Sequence, residues 1–147
     1  MSTTKPQRDL VHLLSRAEHL AVRRLATALE AEVAGCSVDQ WRALAFLADG
    51  EGRTMTELAD YALLPAPTAT KLIDRLVADN LVYRHPDPTD RRRVLVYLTD
   101  RGTARQHQAA AVVARVQQEL SATLQDSLPF PDQLTALAEL TIGVRPS

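Results

Sequence analysis

The sequence is poor in cysteine, in aromatic residues and in net charge, which is −1 over 147 residues. Because Cys36 is alone, no internal disulfide can form, and we expect a cytoplasmic protein. No apolar run approaches about 18 residues, and Lys5, Arg8 and Asp9 interrupt any signal-peptide pattern. We therefore expect no membrane partner. Near-neutrality also means that any binding to nucleic acid must depend on a local cluster of positive charge.

Apolar residues nevertheless make up 46% of the chain and charged residues 24%, a composition typical of globular proteins. A chain of this length is long enough to bury one core and too short for two ordinary domains. We therefore treat residues 1–147 as one domain.

Helical patterns dominate the first third of the chain. One long amphipathic helix is predicted over residues 8–33, because apolar side chains recur there at every third or fourth position. Gly35 is expected to end it. Ser37, followed three residues later by Gln40, has the form of a capping box and predicts the start of a second helix.

The next two predicted helices are short and close together. Thr54 and Glu57 repeat the capping-box pattern at the start of the third helix. The fourth is predicted over residues 67–79, with Pro67 in the first helical position, where a missing N–H costs nothing. Asn80 is expected to close it in the left-handed conformation.

Two β-prone segments, 81–84 and 94–98, follow and are joined by the polar residues 85–93, so a hairpin with a long tip is predicted. A long helix over 100–127 and a last helix after the proline-rich residues 128–131 complete the chain. The order predicts a mainly α fold with a small antiparallel β wing. Its predicted parts are a winged helix-turn-helix lobe at 36–99 and helical dimerisation regions at 5–34 and 100–147.

Two short helices followed by a β-hairpin are typical of a winged helix-turn-helix, whose second helix enters the major groove of DNA. The predicted outward residues Thr68, Thr70 and Lys71 are small enough, or basic enough, to meet base edges and phosphates. The helix N-terminus favours a phosphate near Pro67. Arg75, further along the helix, is placed for a flanking phosphate.

The predicted hairpin supplies the local positive charge. Four arginines and two aspartates give it a charge of +2, and arginine at a hairpin tip fits a narrow minor groove. Asp90 precedes Arg92 by two positions, so both are expected on one side of a strand, with Asp90 orienting Arg92. The alternative is a solvated edge whose charges prevent strand aggregation. The charged residues are Arg84, Arg91, Arg92 and Arg93, with Asp87 and Asp90.

At these residues the sequence resembles the MarR family of bacterial transcriptional regulators. The most specific feature is Asp-x-Arg in the wing, followed by a strand and Leu-Thr-x-x-Gly. The chain departs from the family pattern at Asn80, where glycine is usual, and at Pro65 and Pro67, which stiffen the start of the fourth predicted helix. The matching segments are 54–59, 68–76, 81–84, 87–93 and 98–102.

The resemblance implies a homodimer whose base is formed by the first, fifth and sixth helices. It implies binding of double-stranded DNA at two half-sites about one helical turn apart, and repression by blocking a promoter. It also assigns Asp90 and Arg92 to a wing pair. The predicted DNA-binding residues are Pro67, Thr68, Thr70, Lys71, Arg75, Asp90, Arg91, Arg92 and Arg93.

Many regulators of this kind bind small aromatic acids between the dimer base and the DNA-binding lobe. Arg16 is a candidate for holding such a carboxylate, with His12 and His19 on the same helix. The alternative is that these residues form a solvated face or a dimer salt bridge. No metal-ligand spacing is present and no cofactor is expected. Cys36 is expected to be a small, partly buried residue without redox function.

Two other functions compete with DNA binding. An enzyme is disfavoured, because the sequence contains no nucleophile motif, phosphate loop, paired metal ligands or glycine-rich cofactor turn. A winged helix used only for protein interaction is the more serious alternative. The run Arg91–Arg93 distinguishes the two, since such a module has no need of a basic wing.

Overall fold

A computed structural model describes residues 9–122 and 130–143. The order of elements agrees with the sequence prediction, and the mainly α fold with a two-stranded antiparallel sheet is confirmed. The predicted end of the fifth helix at residue 127 lies outside the described residues. The elements are α1 (Leu10–Glu32), α2 (Val38–Phe46), α3 (Met55–Ala62), α4 (Ala66–Ala78), β1 (Val82–Pro86), β2 (Val94–Leu98), α5 (Asp100–Ala122) and α6 (Phe130–Gly143).

Side-chain caps fix the starts of α2 and α3. At α3 the predicted capping box is confirmed, because Thr54 Oγ1 accepts from Glu57 N at 3.2 Å and Glu57 Oε2 accepts from Thr54 N at 3.0 Å. At α2 only half of the box forms. Ser37 Oγ accepts from Gln40 N at 3.1 Å, but the Gln40 side chain is buried and its Oε1 has no partner in the described structure.

The turn between α3 and α4 differs from the prediction in two ways. Pro65, with extended backbone, flanks the helix, so Ala66 takes the first helical position and Pro67 the second. The second position tolerates proline as well, since its N–H would also lack an intrahelical partner. Leu63 adopts a left-handed conformation (φ 59°), which the sequence did not indicate, whereas the predicted left-handed Asn80 (φ 57°) is confirmed.

The hairpin is the predicted wing. Its antiparallel register pairs Val82 with Leu98 and Pro86 with Val94, so β1 continues two residues beyond the predicted end at Arg84. Arg53, just before α3, adds a further bridge to Val96, with backbone N–O distances of 2.8 and 3.1 Å. This bridge attaches β2 of the wing to the segment that leads into α3.

Among the described residues, two clusters of buried side chains form the core, and α2 contributes to both. One cluster joins α1, α2 and α5, and the other joins α2, α3, α4 and the hairpin. The first contains Ala28, Leu29, Val33, Cys36, Val38, Ala109, Val112, Val113 and Val116; the second contains Ala43, Leu44, Leu47, Leu58, Ile73, Leu76, Leu81, Val82 and Val96.

A close backbone contact joins the end of β2 and the start of α5 to the residue that precedes β1. Thr99 N donates to Leu81 O at 3.0 Å, and Thr99 Oγ1 accepts from Gly102 N at 2.9 Å. A Cβ atom at Gly102 would lie only 1.9 Å from Leu81 O. This approach explains why a glycine is needed at the end of the Leu-Thr-x-x-Gly motif.

Candidate nucleic-acid interface

The helix predicted to enter the major groove, α4, is called the reading helix below, and it has one buried and one exposed face. Ala69, Ile73 and Leu76 are buried against the lobe, and the side chains on the opposite face reach solvent. The structure therefore brings the five predicted contacts of this helix together on one accessible surface. They are Pro67, Thr68, Thr70, Lys71 and Arg75, all exposed.

The hydroxyl of Thr70 is already engaged. Its Oγ1 donates to the carbonyl oxygen of Ala66 at 3.0 Å, one helical turn earlier. Thr70 can still accept a hydrogen bond or offer its methyl group to DNA. Thr68 keeps a freely rotating hydroxyl, because it makes no side-chain hydrogen bond within the part of the chain that the structure describes.

An ion pair connects the reading helix with the wing. Arg84 Nη2, on β1, donates to Asp74 Oδ1, on the outward side of α4. Both side chains remain accessible, with 36% and 59% of their surface exposed. Arg84 was expected to add to the free charge of the wing, and the structure instead places it against a carboxylate of the reading helix.

Asp87 organises the loop at the tip of the wing. Its Oδ1 accepts from Thr89 N at 2.9 Å and from Thr89 Oγ1 at 2.8 Å, and Arg93 Nε lies 4.0 Å from its Oδ2. These hydrogen bonds from Thr89, with the nearby guanidinium, lower the pKa of Asp87 below its ordinary value. Its role was missed, although Asp followed two residues later by Thr is a turn signal.

The expected arrangement of Asp90 and Arg92 is wrong in its geometry. Strand β2 begins only at Val94, so neither residue lies on a strand. Asp90 Oδ1 instead accepts from the backbone N of Arg92 at 3.0 Å, and its carbonyl accepts from Arg93 N at 3.0 Å. Asp90 thus shapes a tight turn and positions Arg92 through the backbone.

The wing tip carries two exposed guanidinium groups that are free of ion pairs in the described structure. Arg91 and Arg92 are exposed, and no ion pair within residues 9–122 and 130–143 involves either of them. Arg84 and Arg93, by contrast, each lie beside an aspartate. The available positive charge of the wing is therefore concentrated in the turn formed by Asp90.

The residues predicted to hold an effector lie elsewhere. His12, Arg16 and His19 are exposed on the N-terminal half of α1, and they line neither of the two described cavities. Arg42, which no sequence pattern marks, lines both. Its Nη2 lies 4.0 Å from Glu18 Oε1, on the neighbouring helix.

The larger cavity, of about 800 Å³, lies between α1 and the start of α2, and Cys36 lines it. The smaller, of about 270 Å³, lies among α1, α2 and α5, with Trp41 in its wall. Cys36 is 1% exposed, more buried than expected, and burial raises the pKa of its thiol. No group of three metal-ligating side chains occurs in the described part of the chain, nor does any helix there meet the length and hydropathy needed to cross a membrane.

Comparisons with known proteins bear on the family and the fold of this chain. Residues 34–93 match the model of the MarR family. The homoprotocatechuate degradative operon repressor of Escherichia coli is 29% identical over 105 residues, which cover 71% of this chain and 70% of that protein.

Solved structures share the fold. A MarR family transcriptional regulator from Silicibacter pomeroyi is 28% identical with a TM-score of 0.80, covering 91% of this chain and 96% of that one. The transcriptional repressor CouR, bound to a 23-mer DNA duplex, is 23% identical with a TM-score of 0.74, covering 99% of both chains. Its likeness concerns the fold alone. The match over residues 34–93, the repressor among the relatives and the shared fold make this chain similar to the transcriptional regulators of the MarR family.

Proposed function

We propose that the protein is a repressor that binds a pseudo-palindromic operator as a homodimer, with α4 in the major groove and the wing tip in the minor groove. The observation that carries the proposal is the accessible face of α4, with Thr68, Lys71 and Arg75, together with the exposed pair Arg91 and Arg92 of the wing. The repressor named among the relatives supports it, and the DNA-bound CouR shows that the shared fold is one on which DNA binding occurs.

Local charge accounts for DNA binding by a chain whose net charge is −1. Phosphate contacts depend on cations at the interface, and a narrow minor groove focuses negative potential on an inserted arginine. Arg91 and Arg92 are free of ion pairs in the described structure, so DNA does not have to displace a carboxylate to reach them.

The direct test begins with selection of bound duplexes from a random pool. Arg92→Ala is then titrated against the selected duplex at fixed salt. We expect a loss of affinity of about 10- to 100-fold, since hydrogen bonds to charged groups contribute about 1.5–3 kcal/mol. Arg23→Ala, which removes one exposed charge from α1, is the matched control and should bind as the parent does.

Two results would contradict this proposal. Unchanged affinity in Arg92→Ala would remove the wing from the mechanism. A binding constant that does not fall with salt would favour the rival function, a winged helix used for protein interaction, because phosphate contacts require a steep salt dependence.

A second copy of the chain is the proposed partner of the terminal helices. Leu10, Leu13 and Leu20 on α1 are 41–60% exposed, and Leu134 and Leu137 on α6 are each 38% exposed. Apolar side chains exposed together on such helices favour an interface. Sedimentation equilibrium at micromolar concentration should give twice the chain mass of 16.2 kDa, and a monomer would refute the dimer.

A small aromatic carboxylate is the proposed effector. Arg16, with His12 and His19, offers a charged but open helix face, whereas Arg42 adjoins two cavities with apolar walls and the Trp41 ring. Concave apolar sites with a few polar groups are the usual form of ligand pockets. We therefore favour Arg42 as the residue that holds the carboxylate.

Calorimetric titration with salicylate distinguishes these positions. Arg42→Ala should abolish the binding heat while Arg16→Ala preserves it, because each variant removes one candidate guanidinium. The reverse pattern would favour α1 as the binding surface. No heat with the parent protein at millimolar salicylate would contradict binding of this class of ligand.

A further inference from the structure

Asp74 places a negative charge on the exposed side of the reading helix. It follows Lys71 by three residues and Thr70 by four, so these side chains are neighbours on the helix surface. In the proposed complex this part of α4 lies close to phosphates. An unpaired carboxylate there would be repelled, because juxtaposed like charges across an interface are strongly unfavourable.

Arg84 removes this conflict from the neighbouring element. Its Nη2 donates to Asp74 Oδ1, across a contact between α4 and β1 that rests on the buried side chains of Ile73, Leu76 and Val82. The pair therefore has a fixed place relative to the reading helix. Exposed ion pairs add little to folding stability, so stability alone does not explain its position.

We infer that Arg84 is a charge-masking residue of the DNA interface. It neutralises Asp74, and so allows the reading helix to approach phosphates that the bare carboxylate would repel. The inference rests on the proposed DNA binding by α4 and adds a residue whose effect is exerted through its partner. It is distinct from a direct contact between Arg84 and a phosphate, which would need the guanidinium to leave Asp74.

A double-mutant cycle separates these two mechanisms. Affinity for the selected duplex is measured for the parent, Arg84→Ala, Asp74→Asn and the double variant, at several salt concentrations. If Arg84 masks Asp74, Arg84→Ala should lose affinity for the duplex by about tenfold or more. Asp74→Asn should bind as tightly as the parent protein or more tightly. The double variant should bind within about threefold of the parent. Arg23→Ala again controls for the loss of one positive charge.

The slope of log affinity against log salt concentration is a second measurement, and a purely structural role of Arg84 would leave this slope unchanged. Without Arg84, the Asp74 carboxylate would offset part of the release of cations from DNA that accompanies binding. The slope for Arg84→Ala should therefore be shallower than that of the parent, and the double variant should regain the parent slope. A direct phosphate contact would instead make both slopes shallower by about 0.9. Thermal melting verifies that each variant folds, and Arg84→Gln replaces the alanine variant if that variant does not.

Three results overturn the inference. If Arg84→Ala and the double variant lose affinity for DNA to the same extent, Arg84 contacts a phosphate directly. Weakening of Asp74→Asn to the level of Arg84→Ala would show that the link between the elements matters rather than its charge. If the parent protein binds no duplex, the proposed function fails and the inference fails with it. If the parent protein does bind DNA, either of the first two results refutes only the masking by Arg84.

Discussion

Replacement of Gly102 by alanine tests the junction between the lobe and α5. Alanine is favoured over glycine in a helix by about 1 kcal/mol, so propensity alone predicts stabilisation. The structure predicts the opposite, because the new Cβ would lie 1.9 Å from Leu81 O and 2.9 Å from Leu81 C. Carbon–oxygen contacts of about 3.3 Å are ordinary, so the segments must separate by about 1.4 Å.

Such a separation would break the hydrogen bond from Thr99 N to Leu81 O, now 3.0 Å long. An unsatisfied buried group costs about 1–3 kcal/mol and overpacking about 1–3 kcal/mol. When these two costs are added and the gain of about 1 kcal/mol in helix propensity is subtracted, we expect Gly102→Ala to lower the free energy of unfolding by about 3 kcal/mol. With a urea slope of about 2 kcal/mol/M, the midpoint should fall by about 1.5 M.

Gly50→Ala is the matched control for this measurement. Its Cβ would meet nothing within 4 Å, but Gly50 has a φ of 77°, so only backbone strain opposes the change. That strain costs about 1–2 kcal/mol. Both variants are compared with the parent at one protein concentration, because self-association shifts apparent stability. A Gly102→Ala midpoint equal to the parent's, or a loss no larger than that of Gly50→Ala, would refute the argument from close contact.

Two further predictions concern single side chains. Since the folded pKa of Asp87 is lowered, its ionised form stabilises the fold above the ordinary aspartate pKa, and this contribution is lost as the pH falls through the folded value. Urea melts should therefore show Asp87→Asn less stable than the parent at pH 7, with the difference narrowing in acid; a constant difference would contradict this. Since Cys36 is buried with a raised thiol pKa, iodoacetamide at pH 7 should alkylate it at least about tenfold more slowly in the native protein than in urea, and equal rates would contradict its burial.

Local signals made most of the fold predictable from sequence. Capping at Thr54 and the left-handed Asn80 depend on neighbours within a few residues, and both are confirmed. Helix periodicity likewise gave the order of elements. Leu63 was missed because a leucine in the left-handed conformation has no local sequence signal and is imposed by the turn into α4.

The candidate site was less predictable, because its charges are arranged by tertiary packing. Asp74 and Arg84 meet only when α4 lies against β1. Asp90 was expected to face Arg92 along a strand, but the tight loop turns its carboxylate to the backbone amide. Arg42 had no motif to mark it, since the cavities beside it exist only after α1, α2 and α5 have packed together.

The two-sided packing of α2 limits how this protein can be divided or recombined. This nine-residue helix gives Val38 to the cluster with α1 and α5, and Ala43 and Leu44 to the cluster of the lobe. A fragment cut at residue 36 would retain the helix but lose the partners of one of its faces. Exchange of lobes between similar regulators should therefore succeed only when the long helices that pack against α2 are exchanged with the lobe. The lobe and these helices are thus expected to evolve together.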